Sequence, residues 1–141
     1  MEINQNEIDD IKDEIIKLMA RLGIDYNYTL DDLTNKYKNV YYNIKGDDNR
    51  LKIMGTEIIP LDDGKKKQKS VQVYRLKRED RKGLSMKEFQ SVYEDVMKLC
   101  YKIEQLKLYE RIKELENKIV NIEQIAAQDK ELIKIFENTK R

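Results

Sequence analysis

The sequence predicts an α+β fold that is predominantly helical: a small three-stranded antiparallel sheet, N-terminal helices, and a long C-terminal helix that forms a coiled coil or doubles back as a helical hairpin. Three observations predict it. Apolar residues recur at helical spacing over residues 5–22 and again beyond residue 85. Between them the period drops to two, in runs interrupted by Gly46, Gly55, Pro60 and Gly64. No glycine or proline follows Gly83, so nothing in the last two-fifths of the chain stops a helix.

In the first helix Ile8, Ile11, Ile15, Leu18 and Leu22 lie on one stripe, which Ile16 and Met19 broaden. Asn4 and Glu7 have capping-box spacing, Ile3 and Ile8 can staple across it, and Gly23 can end the helix in a left-handed conformation. The opposite face is acidic, with Asp9, Asp10, Asp13 and Glu14. A second cap at Thr29 predicts a short helix over 30–37 that buries Leu30 and Leu33. It is too short to stand alone.

In the alternating region Val40, Tyr42 and Ile44 face one way, and Tyr41, Asn43 and Lys45 the other. Residues 46–49 read as a turn. Leu51 and Ile53 alternate again until Gly55 breaks the phase, which predicts a bulge there. Pro60 ends the run, residues 62–64 open a loop carrying a lysine cluster, and a third strand is expected over 71–77. Three short strands need helices over one face.

Ser85 and Glu88 form a capping box, with Leu84 and Phe89 as its staple. A straight helix from there to the end would span about 85 Å, against about 30 Å for a domain of this size. Phe89, Val92, Val96, Leu99, Ile103 and Leu106 keep heptad spacing; Ile112, Leu115, Ile119, Ile122 and Ala126 keep it in a shifted phase, with Leu108 and Tyr109 at the slip. Asp129 falls where an apolar residue is due, and Ile133 and Phe136 resume the pattern. The expectation is two parts, a head over 1–83 bearing a basic hairpin and an oligomerisation region over 84–141. Its seam, Phe89 to Ile122, would be covered by a second copy, most simply in a dimer. A break near Ala126 with a folded-back final helix is the alternative.

Composition narrows the chemistry. The 141 residues are 39 % charged and 40 % hydrophobic, with mean hydropathy −0.81, so the core is thin and large buried pockets are not expected. There is no histidine and one cysteine, Cys100. That removes imidazole-based nucleophilic triads and leaves too few ligands for zinc. A lone cysteine fits a reducing compartment. With no membrane-length apolar run and no basic, apolar start, a cytoplasmic location is expected. Cys100, within the seam-bearing helix, reads as a buried structural thiol.

Four Asp-Asp pairs (at 9–10, 31–32, 47–48 and 62–63) sit at helix starts or turns, where each has a local role. No metal or other cofactor is implied. Five isolated glycines make no phosphate-cradling loop.

The net charge of +1 hides segregation: residues 1–34 sum to −6 and residues 64–82 to +7. The basic segment holds Lys65, Lys66, Lys67, Lys69, Arg75, Lys77, Arg78 and Arg81. Such a cluster attracts polyanions, or it is a solvated hairpin tip or a partner for the acidic first helix. Tyr41, Tyr42 and Tyr74 fall on the neighbouring strands, where aromatic rings suit either base stacking or ordinary strand packing. Lys65, Lys66, Lys67, Lys69, Tyr74, Arg75, Lys77, Arg78, Arg81 and Tyr41 are therefore the candidate docking residues for another protein or a nucleic acid.

Three functions are consistent with this pattern. The first is a non-enzymatic, self-associating interaction protein with no membrane partner, such as a phage or mobile-element inhibitor or accessory factor; the codon-biased richness in Lys, Ile, Asn and Tyr suits an AT-rich genome. The second is a DNA- or RNA-binding regulator dimerising through its C-terminal helix. Its element order is similar to that of some winged-helix regulators, with the hairpin as wing, although residues 38–45 alternate like a strand where a recognition helix belongs. The third is a small-nucleotide-sequestering protein using Lys107, Tyr109 and Arg111 at an interface between copies.

Overall fold

The computed structural model describes residues 2–45 and 50–139. Helix α1 (Gln5–Leu22) leads through a π-helical turn (Asp32–Lys36) into strands β1 (Tyr37–Lys45), β2 (Arg50–Pro60) and β3 (Lys66–Arg75), then a short helix α2 (Arg78–Lys82) and helix α3 (Met86–Thr139). The α+β, predominantly helical class expected from the sequence is what is found. The turn expected at 46–49 lies outside the described residues.

The local end signals operate as read. Asn6 N–H donates to the Asn4 side chain at 2.8 Å and Asn4 N–H to Glu7 Oε2 at 3.3 Å. Gly23 takes φ 69° beyond the last turn. The Asp32 and Thr29 amides each bond the other's side chain, at 3.1 and 3.0 Å, and Ser85 and Glu88 do likewise at the start of α3. The expected second helix is a single widened, π-helical turn, Asp32–Lys36, on which Leu33 is buried.

The sheet is antiparallel in the order β1-β2-β3. Two boundaries differ from expectation. β1 begins at Tyr37, and β3 begins at Lys66, so the lysines expected in a loop are already in the β2–β3 ladder, with Lys66 opposite Pro60, Lys67 opposite Ile59 and Lys69 opposite Glu57. Polar strands with no core face carry little sequence signal; here backbone pairing with Ile58–Ile59 extends them.

The bulge expected at Gly55 is displaced. β2 is regular through Gly55, which pairs with Val40 and Val71; the ladders slip instead at Lys38 in β1 and Val73 in β3. The glycine answers to packing. A Cβ there would stand 2.9 Å from Cδ2 of Tyr37, whose ring is buried over the β2 backbone.

The core lies between one face of the sheet and two antiparallel helices. Ile8, Ile11, Ile15 and Leu18 of α1 meet Val96, Leu99, Ile103 and Leu106 of α3, with Val40, Leu51, Ile53 and Val73 below them. Four of the seam residues assigned to a second copy are thus fully buried within their own chain. Phe89, Val92 and Ile112 pack partly against the same cluster. The sequence expectation underestimated how much cover α1 and the sheet supply together. Helix α3 is continuous, so the folded-back final helix does not occur among the described residues.

Gly55→Ala is expected to lower stability by about 1–3 kcal/mol through overpacking against Tyr37. The cost should shrink in a Tyr37→Ala background, which a double-mutant cycle of urea midpoints will measure.

Candidate interaction surfaces

The strand register sorts the expected docking residues onto different faces. Side chains directly opposite across strands share a face. On the helix-covered face lie Tyr42, Ile53 and Tyr74 in one row, with Lys67 and Lys69 further out. On the opposite face the rows are Asn43–Lys52–Arg75, Tyr41–Met54–Gln72 and Asn39–Thr56–Ser70, continued by Ile58–Gln68 and Pro60–Lys66. The ladder β2–β3 outruns β1 by three pairs, from Ile58↔Gln68 to Pro60↔Lys66, forming a two-stranded ribbon. A tight turn closes its tip, where Leu61 N–H donates to Lys65 O and Lys65 N–H to Asp63 Oδ1. Lys65, Lys66, Lys67 and Lys69 are all exposed on it.

The remaining candidates do not join that cluster. Tyr74 is half-buried in a cleft, its phenol pushed above the usual tyrosine range by burial and then by Asp80 and Asp95. The Arg81 guanidinium lies 4.1 Å from the centre of the Phe89 ring. Lys77 caps α2, at the far end of β3 from the ribbon; the Arg78 side chain lies outside those described. Arg75 Nε and Asn43 Oδ1, both in the outermost row of the open face, are shielded and accept or donate no hydrogen bond. The cleft beside them, about 990 Å³, runs from Arg21–Asp25 past β3 and α2 to Asp95. Its bases and acids alternate, and Arg21 and Asp95 already pair at 3.1 Å, so it presents no field of one sign.

Among the described residues no ion pair joins the acidic first helix to the ribbon lysines. Polar residues of this helix bridge to α3: Glu14 pairs with Lys102 at 2.8 Å, Lys12 with Glu110 at 3.7 Å, and Gln5 accepts a hydrogen bond from Lys113. The Lys102 hydrogen bond holds the Glu14 carboxyl below its ordinary range. The trio suggested for nucleotide binding is committed elsewhere. Lys107 Nζ donates to the carbonyls of Tyr37 and Lys38 at 3.1 and 3.3 Å, Tyr109 packs on the core, and Arg111 pairs with Glu114 at 3.2 Å.

The second surface is the distal part of α3. α1 begins alongside Glu116, whose Oε2 accepts from Ile3 N–H. The 23 residues from there to Thr139 project about 35 Å further. Leu115, Ile119, Ile122 and Ile125 are 43–65 % exposed on this arm. At 100° per residue, Leu115 stands about half a turn round the helix from Leu106. The phase slip at Leu108–Tyr109 therefore turns the apolar stripe away from the chain's own core. The resumed pattern at Ile133 and Phe136 lies outside the described side chains.

Cys100 is buried at the α3–sheet contact, where burial pushes its thiol up to about 12. Among the described residues no group of three or more Cys, Asp or Glu is placed to hold a metal ion, and no helix is long and apolar enough to cross a membrane. No protein-family model, curated protein or solved structure matches the chain.

Sequence reasoning missed Lys52, Met54 and Gln72, the middle of the open face. The alternation of β2 announces that Lys52, Met54 and Thr56 share a side, but which residues flank them depends on two registers, each offset by an extra residue.

Cys100 is expected to resist alkylation at pH 8 in the native chain and to react once it unfolds. A free thiol ionises near 9.0 and the folded one near 12. The unfolded state therefore loses its proton first, and stability falls as pH rises from 9.0 toward 12. Cys100→Ala should flatten that part of the pH dependence of urea midpoints.

Proposed function

We propose that this chain is a non-enzymatic interaction protein that pairs with a second copy through the α3 arm and docks a macromolecular partner on its basic ribbon. The observation that carries the reading is the exposed stripe of Leu115, Ile119, Ile122 and Ile125, on a helix that no other described element covers there. Helices draw most of their stability from burying an apolar face, and this face has no partner within the described residues. A second copy suits it because Lys118, Glu123 and Lys130 flank the stripe with alternating sign, so a like arm can set opposite charges beside the seam. The turn of the stripe away from α1 leaves the two heads clear of each other.

The ribbon supplies the other half of the reading. Lys65, Lys66, Lys67 and Lys69 are exposed with only Asp62 and Asp63 as acids at the tip, which favours an anionic partner. The small size and the lack of a catalytic constellation suit a stoichiometric inhibitor or accessory factor of the kind that phages and mobile elements encode. A winged-helix regulator is disfavoured because β1 occupies the recognition-helix position, and nucleotide sequestration because Lys107 and Arg111 are already engaged.

In solution the chain is expected to have at least twice its 16.9 kDa mass at micromolar concentration. Ile119→Asp with Ile122→Asp should weaken the pairing at least about a hundredfold, since each buried isoleucine contributes about 1.5–3 kcal/mol. Light scattering against concentration checks this, and a wild type monomeric at high micromolar concentration rejects it. Replacing Lys65, Lys66, Lys67 and Lys69 by Glu should abolish partner binding in affinity capture while leaving that molar mass unchanged; unaltered binding rejects the ribbon.

A further inference from the structure

We infer that the open face of the sheet, continuous with the basic ribbon, is a platform for single-stranded nucleic acid; this rests on the reading of the ribbon as a docking element and names its partner. Helices cover only one side of the sheet. β2 shows it directly: Leu51, Ile53 and Gly55 are buried, while Lys52, Met54 and Thr56 between them are not. The uncovered rows are Asn43–Lys52–Arg75, Tyr41–Met54–Gln72 and Asn39–Thr56–Ser70.

The chemistry of those rows is selective. No residue of these three rows is acidic, although acids are nearly as numerous as bases in the whole chain; Asp25, Glu79, Asp80 and Asp95 are confined to the cleft that Gln72 and Arg75 border. Amides and hydroxyls dominate, Lys52 and Arg75 mark one end, and Lys66 lies beyond the other, on the last pair of the ribbon. Tyr41 stands at the centre of the β1 edge, 38 % exposed. A protein partner would need large apolar anchors, and Met54 is the one such candidate in these three rows besides Tyr41. An unpaired strand needs what is present: an aromatic ring for a base to stack on, amides to meet base edges, and cations at both ends for the phosphates. A duplex hides its base faces and can use only the cations.

The test is fluorescence anisotropy of the full chain with a labelled oligothymidylate of about 20 nucleotides, its RNA counterpart, and a duplex of equal length. Single strands are expected to bind more tightly than duplex. Tyr41→Ala should weaken binding about tenfold with the salt slope unchanged, and Tyr41→Phe should restore it. Lys52→Gln should reduce the slope of log affinity against log salt by about 0.7. Circular dichroism verifies that each variant is folded, and Lys52→Gln tests the face should Tyr41→Ala fail to fold. No binding of single strands, equal binding of duplex, or equal competition by polyglutamate overturns the proposal. If binding ignores Tyr41 and Lys52 but is lost on reversing the ribbon lysines, the platform is wrong and the ribbon stands. If it ignores both sets, both fall.

Discussion

The ridge of Val96, Leu99, Ile103 and Leu106 is the contact on which the rest of the molecule depends. These side chains are fully buried and serve two partners at once, α1 on one side and the sheet on the other. Three strands and an 18-residue helix are each too small to be stable in water alone. Placed against a common helical wall they bury one another, and the thin core implied by 39 % charged residues becomes sufficient. Cys100 beside this ridge behaves accordingly, as a small apolar residue whose thiol stays protonated far above the ordinary range.

The same helix then does something else. An α-helix turns 3.6 residues per turn, so a seam that skips from heptad spacing through successive three-residue steps at Leu106, Tyr109, Ile112 and Leu115 is carried round the axis. The consequence is a division of labour along one unbroken helix. Up to about Ile112 apolar side chains of the helix close the chain's own core; Leu115, Ile119, Ile122 and Ile125 point elsewhere and are exposed. No hinge or loop is needed to separate the buried part of the stripe from the exposed part. Phase alone separates them.

Charge follows a similar partition. The acidic first helix is compensated in part by α3, Glu14 by Lys102, while its Lys12 pairs with Glu110, and surface pairs of this kind add little to stability. The positive ribbon receives no such compensation from α1 and projects beyond β1 with its lysines exposed. The sheet therefore presents three rows with no acidic residue next to a strongly basic tip, a field that long-range steering can use.

The sequence by itself determined most of the elements and their capped ends. The Asn4–Glu7 and Ser85–Glu88 boxes, the left-handed Gly23 and the period of two from Val40 onward are local rules, satisfied by neighbours a few residues apart, so they survive any tertiary arrangement. The long helix was legible for the same reason, since nothing after Gly83 can interrupt it. What only the tertiary structure decided is what those elements face. Whether Leu99 and Ile103 meet a second copy or their own α1 is a question of available surface, which no spacing encodes. Gly55 looked like a bulge because a glycine in a strand has more than one cause; the cause here is the ring of Tyr37, eighteen residues earlier. The lysine run looked like a single patch because pairing partners 6–12 residues away set the strand's extent, and alternation then sends Lys66 to one face and Lys67 and Lys69 to the other. Local propensity fixes where a chain turns and coils; burial and register are relations between distant residues, and they exist only once the chain has folded.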